Sequence, residues 1–161
     1  VEPEVLMDGS HTIERCYDVT NQTLSVTFEQ LHNQNVFLGG IILKPNMVIS
    51  GLNCVNQASV QTVAEMTLKC LKKNVPNQVP GIAFLSGGQS SDLATYHLNA
   101  MNALDRNLPW NLTFSYGRAL QQDALNAWLG SNRKDGQEKL ILRAEKNSLA
   151  TSGKIKYTTV E

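Results

Sequence analysis

The sequence predicts an α/β protein built on a parallel sheet. Short apolar runs suited to doubly buried strands alternate with segments whose apolar residues recur every three or four positions. Gly and Pro punctuate the joins, and polar residues interrupt the apolar runs at their C-terminal ends.

Val1-Glu2-Pro3-Glu4-Val5-Leu6 reads as the end of a first strand. A helix-period segment follows, with Ile13, Cys16, Tyr17, Leu24, Phe28 and Leu31 on one face. Gly39-Gly40 then introduces Ile41-Ile42-Leu43, a buried second strand, and Pro45 and Gly51 mark the loop after it. The next helix is expected over Ser59 to Asn74, with Ser59 as N-cap and Val60, Val63, Ala64, Thr67, Leu68 and Leu71 inward.

Pro76 and Pro80 precede a third strand, Ile82-Ala83-Phe84-Leu85. Through Ser86-Gly87-Gly88-Gln89-Ser90 it leads to a helix carrying Leu93, His97, Ala100, Met101 and Leu104 in register. A fourth strand, Leu112-Thr113-Phe114, passes through Ser115-Tyr116-Gly117-Arg118 into a helix faced by Leu120, Ala124, Leu125 and Trp128. A last helix is expected near Gln137 to Ser152, with Leu140, Ile141, Ala144 and Leu149 inward and Gly153 as its stop. Residues 154–161 read as the start of a mobile polar tail of a single domain spanning 1–161. Four βα units amount to half a (β/α)8 barrel, with an open four-stranded parallel sheet as the other arrangement. A complete barrel usually takes about 250 residues, more than the 161 here. The chain also opens without Met inside a strand, so it is expected to be a portion of a longer protein.

Composition removes several function classes. Fourteen basic and 14 acidic residues give a formal net charge of 0, with no long basic run, which argues against a nucleic-acid partner. No apolar stretch approaches a membrane span, so no membrane partner is expected. Cys16, Cys54 and Cys70 form no CxxC pair and read as reduced intracellular thiols without chemistry. His11, His32 and His97 lack metal-ligand spacing and read as helix-surface or packing residues. The sequons at Asn21 and Asn111 read as chance matches.

The polar strand ends carry the chemistry. In a parallel α/β protein they share one rim, where barrel active sites form. Lys44 ends the second strand, where loss of water penalises the ammonium and favours a nucleophilic amine; the other reading is a lysine that snorkels to the rim. Glu2 and Glu4, two apart on a strand, project to one side as a pair suited to acid–base work, or else form a solvated acidic end. Ser86-Gly87-Gly88 lies between strand and helix, where backbone N–H groups can cradle phosphate, and Ser115-Tyr116-Gly117-Arg118 repeats the layout with a guanidinium. Each turn also has a purely structural reading.

Taken together, Val1-Glu2-Pro3-Glu4-Val5-Leu6, Leu43-Lys44-Pro45-Asn46-Met47-Val48, Phe84-Leu85-Ser86-Gly87-Gly88-Gln89-Ser90 and Thr113-Phe114-Ser115-Tyr116-Gly117-Arg118-Ala119-Leu120 closely resemble class I (Schiff-base) fructose-bisphosphate aldolase. Asn147-Ser148-Leu149-Ala150 with Gly153-Lys154 resembles that family's last helix. The likeness covers nearly the whole chain, in the family's order and spacing. It implies the C-terminal half of a TIM barrel, from the end of strand 5 through strand 8 and the terminal helices.

The resemblance further implies that Lys44 forms the imine, that Glu2 is the main acid–base group with Glu4 in support, and that Leu85, Ser86, Gly87, Gly88, Ser115, Gly117 and Arg118 surround a substrate phosphate. It implies a sugar-phosphate substrate, no metal or cofactor, and a homotetramer when complete, in the cytoplasm or a plastid. The family's first half, which supplies the carboxylate for C–C cleavage and further basic residues, has no counterpart here. The isolated segment is accordingly expected to be inactive or nearly so.

Three departures bear on loops and tail. Val48-Ile49-Ser50-Gly51 replaces the family's Val-Thr-Pro-Gly, Ile155-Lys156 is inserted before Tyr157, and Tyr157 does not match the family's functional terminal tyrosine. A non-catalytic half-barrel that binds a partner chain or a sugar phosphate is the alternative function. Another Schiff-base barrel, such as a transaldolase, fits the quoted motifs less well.

Overall fold

The structure, a computed structural model, describes residues 1–156. Positions 157–161, including Tyr157 and most of the expected tail, lie outside the described residues.

Three parallel strands form the sheet: β1 (Ile42–Leu43), β2 (Gly81–Phe84) and β3 (Asn111–Phe114), in the order β1-β2-β3. The helices are α1 (Ile13–Asn33), α2 (Val60–Asn74), α3 (Ser91–Leu104), α4 (Arg118–Trp128) and α5 (Arg133–Ala150). A short 3-10 turn, Leu38–Gly40, precedes β1. Strand order follows chain order, and a helix intervenes between successive strands. Such sequential winding fits part of a barrel wall, and equally one half of a doubly wound sheet.

Register sorts the two faces. Leu43, Ile82 and Leu112 align across the ladder, and all three are buried among the helices. Ile42 lies on the other face and is 52% exposed, as is expected of an inner barrel surface that half a barrel leaves open.

The first expected strand forms no regular element among the described residues. Its backbone is nevertheless laid against β1: the Val1 ammonium donates to the Ile42 carbonyl at 2.9 Å, and the Lys44 N–H donates to the Val1 carbonyl at 2.8 Å. That is the slanted pairing of a parallel ladder one residue long, too short to count as a strand. Beyond it Met7 and Gly9 accept from the Leu52 and Asn53 N–H groups, tying the segment to the loop after β1. A Cβ at Gly51 would sit 2.4 Å from the Gly9 carbonyl oxygen, so glycine permits this approach. In the same loop the Ser50 hydroxyl donates to the Asn56 carbonyl and accepts from the Ala58 N–H, anchoring the stretch where the family's usual proline is missing.

Side-chain caps open four helices, at Thr12, Ser59, Ser90 and Asn132. The core runs between the sheet and α1–α3, and Leu24, Leu68, Leu71, Leu98 and Met101 are all buried there.

Three helices differ from the sequence expectation. In α3, Leu93 and Leu104 are exposed; Ala94, Leu98 and Met101 fill the inward face instead. In α4, Leu125 and Trp128 line a groove against α5, and Ala119 is the buried residue. Helix α5 starts earlier than expected and turns Gly136, Arg143, Asn147 and Ala150 inward, leaving Leu140, Ile141 and Leu149 exposed. Gly136 allows close contact with α4, because a Cβ there would lie 2.9 Å from that of Trp128. The expected stop is present: Gly153 has φ +63, and a Cβ on it would strike the Ala103 backbone.

Candidate active site

The ends of β1, β2 and β3 place Lys44, Ser86 and Ser115 on a common rim. Continued pairing holds the rim together, with the Leu85 N–H donating to the Pro45 carbonyl and the Ser115 N–H to the Phe84 carbonyl.

Lys44 and Glu2 meet there. Lys44 Nζ lies 2.8 Å from Glu2 Oε1, with the side chains 32% and 52% exposed. A pair this open to solvent contributes about 0–1 kcal/mol to stability, so its effect on folding is small. Lys44 is therefore less dry than its strand-end position suggests: it projects onto the open inner face and meets a carboxylate. Glu4 is exposed and makes no ion pair among the described residues.

Asn46, two residues past the lysine, fixes the relation between these segments. Its Oδ1 accepts from the Val5 N–H at 3.0 Å, and its Nδ2 donates to Thr20 Oγ1 and the Met47 carbonyl. The side chain is buried and its polar atoms are bonded. Nothing in the sequence marks Asn46 apart from its place in the Leu43-Lys44-Pro45-Asn46 stretch, because its partners lie far away in the chain.

The glycine turn after β2 is built for close approach. Gly87 and Gly88 have φ +52 and +80, and a Cβ at Gly87 would fall 2.1 Å from Met7 Cε. Met7 thus joins the Glu2–Glu4 segment to the turn. Ser86 is buried, and its carbonyl accepts from both the backbone N–H and Nε2 of Gln89. Behind Gln89, His97 Nδ1 donates to Gln89 Oε1 at 2.6 Å. Burial pushes the His97 imidazole down to about 4, so it is neutral at ordinary pH. His97 is thus a buried packing residue that also supports the turn.

The two glycine-containing turns converge. The Arg118 Nη2 would be 3.9 Å from a Cβ at Gly88. A cavity of about 390 Å3 lies between the starts of α3 and α4, and Gly88, Ser90, Asp92, Arg118, Gln122 and Asp123 contribute to its lining. Gly117 opens α4 without a side-chain cap, which leaves that helix start free to face an anion. Of the residues expected around a phosphate, Gly88 and Arg118 line this cavity. Leu85 is buried at the strand end, and Ser115 and Gly117 are exposed on the rim. Lys44 and Glu2 lie outside the cavity lining.

Asp92 and Asp123 are an unexpected feature of a cavity suited to phosphate. Both reach the buried Arg143 of α5: Nη1 donates to Asp92 Oδ1 at 2.7 Å, and Nε lies 3.8 Å from Asp123 Oδ2. Arg143 carries no motif or strand-end signal in the sequence.

Residues 1–161 match the family model described as Glycolytic: Fructose-bisphosphate aldolase class-I. The chain is 55% identical over 159 residues to a probable fructose-bisphosphate aldolase class 1 of Xanthomonas axonopodis pv. citri, covering 97% of this chain and 47% of that protein. It is 51% identical over 155 residues to fructose-bisphosphate aldolase B of Gallus gallus, covering 95% and 43%. A solved fructose-bisphosphate aldolase of Plasmodium falciparum, in complex with TRAP and a small-molecule inhibitor, superposes with a TM-score of 0.94 at 49% identity, over 98% of this chain and 46% of that one. The chain spans about half the length of the relatives it matches.

Proposed function

Since the chain belongs to the class I fructose-bisphosphate aldolase family, we propose that it is the imine-forming half of an enzyme cleaving fructose 1,6-bisphosphate reversibly to dihydroxyacetone phosphate and glyceraldehyde 3-phosphate. The observation that carries this reading is the 2.8 Å contact between Lys44 Nζ and Glu2 Oε1 at the strand-end rim.

Glu2 takes a proton from the Lys44 ammonium, and the amine attacks the C2 carbonyl of the ketose. Protons lost from nitrogen pass by way of Glu2 to the former carbonyl oxygen, which leaves as water. The product is an iminium on Lys44. When the C3–C4 bond breaks, its electron pair moves into the iminium to give an enamine. The C4 hydroxyl proton passes to a base, and the aldehyde departs. In this reading that base lies in the part of the barrel that this chain does not span. Protonation of the enamine at C3 and hydrolysis then free the second product and restore Lys44.

Gly88 and Arg118, which line the cavity between α3 and α4, hold a phosphate of the substrate, and Leu85, Ser86, Gly87, Ser115 and Gly117 belong to the strand ends and turns that lead to it. Glu4 is the supporting carboxylate beside Glu2. The complete enzyme works as a homotetramer in the cytoplasm or a plastid. No helix among the described residues is long and apolar enough to cross a membrane.

Cleavage of fructose 1,6-bisphosphate by the full-length protein, compared with its Lys44→Met variant, tests the assignment. Cleavage by the parent and none by the variant is the expected result. Equal rates in both would overturn the role of Lys44, and transfer of dihydroxyacetone without cleavage would point to a transaldolase.

A further inference from the structure

Arg143 is a buried charge whose two terminal nitrogens are hydrogen-bonded while its Nε has no hydrogen-bond partner among the described residues, and the imine chemistry does not use it. Its side chain is 3% exposed. One terminal nitrogen donates to Asp92 Oδ1 at 2.7 Å, and the other to the Ser91 carbonyl and to Thr95 Oγ1. Thr95 in turn donates to Asn147 Oδ1, one helical turn beyond Arg143 on the buried face of α5. Nε approaches Asp123 of α4 at 3.8 Å.

Three of the groups that Arg143 reaches, Ser91, Asp92 and Asp123, line the cavity that holds Gly88 and Arg118. Two of them are carboxylates, which alone would repel an anion there. Ser91 is the first residue of α3, and Asp123 lies in α4 five residues after Arg118. The guanidinium therefore offsets acidic charge behind the cavity, bonds the first turn of α3 and lies beside the second turn of α4, the two helices that form it. A planar fork with donors in set directions can bond several acceptors at once, which an ammonium cannot copy.

We infer that Arg143 is the positioning residue of the phosphate pocket: from α5 it holds the starts of α3 and α4 at the right separation and neutralises Asp92 and Asp123, so that Gly88 and Arg118 bind phosphate. This inference rests on the phosphate reading of the cavity proposed above. It adds a residue that does not itself touch the ligand.

The test is titration of the full-length protein with inorganic phosphate by calorimetry, which needs no imine and no turnover. Arg118→Met serves as the comparison that removes the direct contact. Arg143→Lys should weaken phosphate binding roughly tenfold, because charge remains but the fork is lost. Arg143→Met should weaken it further, and adding Asp92→Asn with Asp123→Asn to Arg143→Met should recover part of the loss. A role in general stability alone would not be relieved by removing two carboxylates. Wild-type affinity in Arg143→Lys would overturn the inference. So would an equal loss in Arg143→Met with and without the Asn substitutions, or a wild-type protein that binds no phosphate. If Arg143→Met does not fold, Arg143→Lys decides. Failure of Lys44 to form an imine would sink the proposed reaction and leave this phosphate measurement standing.

Discussion

The Lys44 ammonium and the Glu2 carboxylate are held 2.8 Å apart by backbone as well as by charge. The Lys44 N–H bonds to the Val1 carbonyl, so the residue before Glu2 is paired directly with the lysine. Asn46 then bonds the Val5 N–H three residues further on. Glu2 and Lys44 thus sit on two chain segments whose register is fixed on both sides of the contact.

Glu2→Gln keeps the size of the side chain and removes its ability to accept a proton. Imine formation in the full-length protein should slow by about 10²-fold or more, the lower end of what a positioned acid–base group contributes. Rapid-quench trapping of the imine measures this step. An unchanged rate would assign the proton transfers elsewhere.

Asn46→Ala leaves the Val5 N–H without its acceptor and removes two further bonds from a buried site. Unmaking buried bonds of this kind costs about 1–3 kcal/mol. Urea unfolding of the full-length protein should show that loss, and imine formation should slow as well because the Glu2 segment loses its anchor. A stable variant with a normal rate would show that Asn46 does not set the register.

How much of this could be read from the sequence varies by element. The alternation of βα units and the shared rim were legible because buried strands leave short apolar runs that end in polar residues. Lys44, Gly88 and Arg118 stood out for the same reason: a charge or a glycine at a strand end breaks a strong pattern. The face of α5 was not legible. Its leucines and isoleucine suggested an apolar stripe, yet Arg143 and Asn147 are buried because they bond to Thr95, Ser91 and Asp92 of α3. A buried polar cluster has no periodic signature in one sequence. Asn46 was hidden likewise, since its partners Thr20 and Val5 are distant in the chain.

His97 gives the fold a pH dependence with a definite sign. Its folded value lies at about 4, below the ordinary 6.5, because burial disfavours the charged ring. The unfolded chain therefore binds more protons as pH falls. This contribution is complete above pH 6.5 and declines as pH falls through 6.5 toward 4, a loss on the order of 3 kcal/mol at about 1.4 kcal/mol per unit. Urea midpoints of wild type and His97→Gln across that range check it: the wild-type slope should be steeper. Parallel slopes would contradict the buried neutral imidazole.

Gly87→Ala introduces a Cβ where φ is +52 and where Met7 already fills the space. The left-handed conformation alone costs about 1–2 kcal/mol, and Met7 is buried and has little room to withdraw. A lower unfolding midpoint is expected together with weaker phosphate binding, because the turn carries Gly88 toward Arg118. A variant with wild-type values for both would show that the turn tolerates a side chain.

The most direct test is to incubate the full-length protein with dihydroxyacetone phosphate, reduce with borohydride, and locate the adduct by peptide mass spectrometry. The prediction is one reduced adduct, on Lys44, that forms much more slowly in Glu2→Gln. An adduct on a different lysine, or none with the phosphate bound, would contradict an imine-forming lysine at the end of β1.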